Sequence, residues 1–296
     1  MARKGAGRLQ SGAPLGASAA WRQAAEEAVA AGTEAPDRSV PGAPGRAGLA
    51  ERTFGPDALV EDDELRDAAE GAVRRGAGGG AGSRRDEPSS PAEEVRQELE
   101  RAVGSTRAAR LDARLGDAAR AFRRDRFGDA ARILRPLATE APSAAAVREL
   151  YGLTLYRQGR WRAAAKELEA FRLLTGSTEQ HPVLADCYRA LRRWDEVDGL
   201  WAELREASPS AALVTEGRIV TAGAAADRGD LAGAIALLEQ GWKRPRRPQD
   251  HHLRRAYALA DLYERAGDVA RARELFGWLA GVAPDVTDAD RRRRAL

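Results

Sequence analysis

From about residue 112 to residue 284, one hydrophobic pattern returns five times in phase with five turns. The turns are Asp125-Arg126-Phe127, Gly159-Arg160-Trp161, Arg192-Arg193-Trp194, Gly229-Asp230-Leu231 and Gly267-Asp268-Val269. Three residues after each bulky residue comes Ala130, Ala164, Val197, Ala234 or Ala272. Four further on stands Leu134, Leu168, Trp201, Leu238 or Phe276, and three beyond that Leu137, Phe171, Leu204, Gly241 or Leu279. Offsets of three, four and three stay on one face of an α-helix. These helices are predicted to stop at Pro142, Gly176, Pro209 and Pro284, with Pro245 slightly early in the fourth unit.

A second helix is predicted ahead of each turn. Its small residues are Ala118, Gly152, Ala185, Ala222 and Ala260, placed where a close helix–helix approach excludes bulk. Three residues on come Ala121, Leu155, Tyr188, Ala225 and Tyr263. The intervals from 118 to 152, 185, 222 and 260 are 34, 33, 37 and 38 residues. A period near 34 with helix–turn–helix, paired small positions and a closing proline resembles the tetratricopeptide repeat. Tyr151-Gly152, Leu155, Gly159, Trp161, Ala164 and Leu168 carry the resemblance most clearly; the unit from Leu259-Ala260 to Pro284 follows it.

The resemblance implies an all-α fold, a right-handed superhelical solenoid of about five helix hairpins, because a single hairpin cannot bury its apolar face alone. It also implies a concave groove, lined by each first helix, that holds a peptide or partner helix. By phase, the groove candidates are Tyr156, Arg157, Asp186, Arg189, Asp227, Tyr257, Asp261 and Glu264. Family members that grip a terminal carboxylate use a Lys/Asn/Arg clamp. This chain has no asparagine, and its lysines (Lys4, Lys166, Lys243) fall outside the first helices, so that mode is not expected.

Ahead of the repeats the pattern changes. Residues 1–108 hold more than half of the 30 glycines and half of the 14 prolines, yet only two aromatics, Trp21 and Phe54. So few large apolar groups cannot offset the entropy of ordering, and a disordered arm is expected there. Three amphipathic segments interrupt it. Ser18 caps one that presents Trp21, and Asp57 begins another with acids first (Glu61 to Glu64) and Arg74 and Arg75 last. The third opens with the capping box Ser90-Pro91-Ala92-Glu93 and presents Val95, Leu99, Ala102 and Val103. Each reads either as a transient helix or as a partner-docking motif. Residues 109–284 then form the repeat domain, and 285–296 a capping turn with a basic tail.

Charge narrows the function classes. Of 296 residues, 48 are Lys or Arg and 45 Asp or Glu, a net charge of +3 that argues against a polycationic nucleic-acid coat. The N-terminus lacks an apolar stretch, so no secretory signal is expected. One cysteine, Cys187, builds neither a disulfide framework nor a Cys-rich zinc site, and it reads as a small core filler. Adjacent His251 and His252 diverge on a helix, and the glycines at 76–82 lack the flanks of a phosphate loop. No catalytic constellation, cofactor site or metal site is expected.

Two features retain functional interest beyond the groove. Trp161, Trp194 and Trp201 occupy repeat-core positions, and packing is the expected role. The loop Gly241 to His252 carries Trp242, Lys243, Arg244, Arg246 and Arg247, an aromatic beside concentrated charge that suits phosphate or an acidic peptide, or simply a solvated loop. The expected function is a cytoplasmic, non-enzymatic scaffold that binds a protein or peptide partner through the groove. The alternatives are a nucleic-acid-associated protein using that loop and the arginine-rich tails, or a non-catalytic subunit of an enzyme. Self-association is a further possibility; a membrane partner is not expected.

Overall fold

The structure, a computed structural model, describes residues 91–284 and 288–296. The described residues are all-helical, with twelve helices and no strand. They run α1 (Pro91–Val103), α2 (Ser105–Arg123), α3 (Phe127–Glu140), α4 (Ala145–Arg157), α5 (Trp161–Thr175) and α6 (His181–Ala190). Then come α7 (Trp194–Ala207), α8 (Ala211–Asp227), α9 (Leu231–Glu239), α10 (Asp250–Arg265), α11 (Val269–Val282) and α12 (Ala289–Ala295). Two compact units divide these residues, with the boundary between Cys187 and Tyr188 inside α6. The arm segments around Trp21 and from Asp57, with the glycines at 76–82, lie outside the described residues.

The five predicted turns share one geometry. Their first residues are left-handed: φ is 57° at Asp125, 72° at Gly159, 57° at Arg192, 91° at Gly229 and 81° at Gly267. In each, the next amide donates five residues back: Arg126 to Ala121, Arg160 to Leu155, Arg193 to Tyr188, Asp230 to Ala225 and Asp268 to Tyr263, at 2.8–3.0 Å. This is the six-to-one closure of a Schellman C-cap. It satisfies a carbonyl at the end of every first helix and aims the chain into the second. Asp230 and Asp268 then cap the new helix, accepting from the amides of Gly233 and Arg271.

In the unit ending at 187, α2 packs on α3 and α4 on α5, while α3 also meets α4. Gly152 is the close crossing of α4 and α5: a Cβ there would stand 2.6 Å from Leu168 Cγ and 3.2 Å from the Leu168 backbone nitrogen. In the unit starting at 188, α8 packs on α7, α9 and α10, and α10 on α11, which α12 closes. Gly217 lets α8 approach α7: a Cβ there would overlap the Leu204 side chain. The repeat positions are the core: Ala130, Ala164, Val197, Ala234 and Ala272 are all fully buried, as are Leu134, Leu168, Leu238 and Phe276.

Three differences from expectation are physical. Helices reach further toward the N-terminus than residue 109. Val95 and Leu99 give α1 a buried stripe, and α2 starts at Ser105 after Gly104 turns left-handed. Gly241 is an exposed left-handed residue beyond the end of α9, because the fourth unit's second helix stops at Glu239. Trp161 and Trp194 are half-buried, since the first residue of a second helix sits at the margin of the hairpin, whereas Trp201 is buried.

Candidate interaction surfaces

Each of the residues predicted to line the first helices engages another part of the chain. In the first unit, the Tyr156 hydroxyl donates to Asp186 across α4 and α6 at 2.6 Å, and both are buried. Beside them, the Gln180 amide donates to Glu149 at 2.9 Å. Arg157 stacks 4.4 Å over the Phe127 ring and lies 3.8 Å from Asp125. In the second unit, buried Arg189 pairs with Asp227 at 2.6 Å, bridging α6 and α8. Glu216 and Arg254 pair between α8 and α10. Tyr257 donates to Asp288 at 2.6 Å, and Arg292 of α12 pairs with Asp261 at 2.8 Å and with Glu264.

Polar rungs therefore join α4 to α6 in the first unit, and α6 to α8 and α8 to α10 in the second. Burial raises the Tyr257 phenol well above its ordinary value, while the carboxylates and phenol around Arg292 hold its guanidinium firmly charged against desolvation. Arg291 to Arg294 make up the basic tail expected at 285–296, a charge run that would be solvated at a free chain end. Arg292 is instead buried, Arg291 pairs with Asp288 and Arg293 and Arg294 pair with Asp290.

An amphipathic helix already lies on first helices. α1 packs on α2 and touches α4, the first helices of two consecutive hairpins, and its Val95 and Leu99 are buried. Beside it a cleft of about 370 Å³ is lined by Glu98, Arg101, Ala145, Glu149, Phe171 and Glu179. Burial on this contact raises the Asp112 carboxyl, against the opposing effect of Arg96 on α1.

The basic loop is tied down at its aromatic end. Trp242 is half-buried, edge-on to Trp278 at 6.1 Å, and the Arg255 guanidinium lies 5.5 Å over it. Arg244 pairs with Glu274 at 2.7 Å, and Lys243, Arg246 and Arg247 are exposed. A cleft of about 250 Å³ runs beneath, between Lys243, Tyr263 and Leu275.

The remaining chemistry is structural. Burial, then the Asp186 charge, pushes the Cys187 thiol well up, which suppresses the nucleophilic thiolate. His252 Nδ1 accepts from the Gln249 amide as a helix cap, and its ring stacks 4.0 Å from that of His251. Among the described residues, no three His, Cys, Asp or Glu side chains form a group able to hold a metal ion, and no helix is long and apolar enough to cross a membrane. Compared with known proteins, the chain matches no family model, no curated protein and no solved structure.

Proposed function

We propose that this chain is a cytoplasmic, non-enzymatic helical-repeat scaffold of the tetratricopeptide kind, a solenoid that docks an amphipathic helix of another protein on its first helices. The observation that carries the reading is α1. A helix from outside the repeats packs on α2 and reaches α4, and its Val95 and Leu99 are buried, which supports a face that accepts apolar side chains at helical spacing. The polar rungs support the same reading, because they tie α4 to α6, α6 to α8 and α8 to α10.

The test is capture of partners by full-length protein from nuclease-treated lysate, run in parallel with Leu99→Asp. A partner that survives nuclease, and whose yield changes when Leu99→Asp loosens α1 from the platform, supports the scaffold. Loss of every partner on nuclease treatment overturns it.

A further inference from the structure

The unit that begins at Tyr188 carries a second surface with a different chemistry. Arg205 at the end of α7 and Arg218 on α8 share one indole, their guanidinium carbons 5.4 and 5.7 Å from the Trp201 ring centre. Arg218 and Arg255 share one carbonyl: both donate to Gln240 O, at 3.0 and 2.7 Å. They also take the carbonyls of Leu237 and Leu238 at the C-terminal end of α9. Three guanidiniums are thus chained through Trp201 and Gln240. Among the described residues, none of the three is paired with a carboxylate, whereas turn arginines such as Arg126, Arg193 and Arg271 are.

That arrangement is unfavourable in isolation. Desolvation and then the neighbouring guanidinium weaken the hold of Arg218 and Arg255 on their protons, Arg255 being drawn down to about 10. The partial negative charge of a helix C-terminus offsets roughly half an elementary charge, too little for three cations. Lys243, Arg246 and Arg247 follow directly in the loop whose Trp242 lies under Arg255, so the local excess grows.

We propose that this edge, formed by Arg205, Arg218, Arg255 and the loop from Trp242 to Arg247, is a binding site for an acidic peptide segment of a partner protein. Arg205 and the Nε/Nη2 edge of Arg218 keep forks that suit a carboxylate bidentately, while Arg255, whose Nε and Nη2 are held by Leu238 and Gln240, keeps Nη1 as a charged donor. The half-exposed rings of Trp242 and Trp278 offer an apolar seat beside them for a flanking side chain. Nucleic acid fits less well. Phosphate-driven binding needs a track of cations along the backbone, whereas the other basic run, Arg291 to Arg294, is neutralised by Asp261, Glu264, Asp288 and Asp290. The site goes beyond the first-helix platform and is tested separately from it.

The experiment is fluorescence polarisation of full-length protein with a labelled oligoglutamate peptide, its oligoglutamine counterpart and a labelled oligothymidylate. Oligoglutamate is expected to bind saturably and oligoglutamine not at all. Arg255→Gln is expected to weaken oligoglutamate binding roughly tenfold, the loss of one charged hydrogen-bonding group. Arg255 also caps α9, so Arg205→Gln serves as the second variant: its side chain is exposed and it is expected to weaken binding while leaving the melting curve unchanged. The proposal is overturned if oligoglutamate does not bind, if neither variant weakens it, or if oligothymidylate binds more tightly with a steep salt dependence.

Discussion

Glu216 and Arg254 form an ion pair between α8 and α10 that lies inside the protein, with side-chain exposures of 0% and 3%. Two charges removed from water cost more than their attraction returns unless both are present, so the pair fixes how the two first helices meet rather than adding net stability. Glu216→Gln or Arg254→Met alone should therefore cost about 3–5 kcal/mol in urea unfolding, and Glu216→Leu with Arg254→Met should recover most of it. A single variant within 1 kcal/mol (about the effect of a surface pair) would remove the rung as a specifying contact.

The turns make an independent prediction. Arg192 and Asp125 adopt left-handed φ at the position where the other three turns use glycine, and an L side chain is strained there by about 1–2 kcal/mol. Arg192→Gly is expected to raise stability by about 1 kcal/mol, and Gly159→Ala to lower it by a similar amount. Thermal melts of the two variants shifting in the same direction would contradict the shared turn geometry.

Aromatic truncations should separate by depth. Phe276 is fully buried and meets Tyr257 edge-on at 5.6 Å, so Phe276→Ala should cost about 3–5 kcal/mol. Trp161 is half-buried at the start of α5, against Tyr156 at 5.2 Å. Trp161→Ala should lower the melting temperature by clearly less; an equal loss would mean that Trp161 is as central as its repeat position suggested.

That contrast marks what the sequence discloses. The small and large positions at offsets of three and four predict the five hairpins because backbone approach and helical phase leave a local trace: Gly152, Ala164 and Leu168 can be read from their spacing alone. The rungs leave none. Whether Asp186 faces a partner or Tyr156 depends on how near the next first helix comes, and the partners lie about thirty residues apart, at 30 and 38 for Tyr156–Asp186 and Arg189–Asp227. The acids of Asp261 and Glu264 and the arginines of the tail were each visible as charge; only the closing helix α12 brings Arg292 onto them. The unpaired arginines at Gln240 were hidden for the same reason, since a carbonyl at the end of α9 has no sequence signature.

Tyr263 carries the pH prediction. Its hydroxyl donates to Glu239 at 2.6 Å, the carboxylate that Arg271 also engages at 2.7 Å. Burial first, then the hydrogen bond and charge of Glu239, push the phenol up to about 12 from its ordinary 10. The folded protein thus holds this proton more tightly than the unfolded chain does. The resulting stabilisation is complete below pH 10 and is lost as pH rises from 10 toward 12, as the unfolded chain and then the native phenol ionise. Ultraviolet titration of the folded protein should show a late phenolate step near 12 that Tyr263→Phe deletes, with Tyr257, raised further by burial, ionising after it. All five tyrosines ionising together near 10 would break the assignment of Tyr263 to a partly buried bond with Glu239.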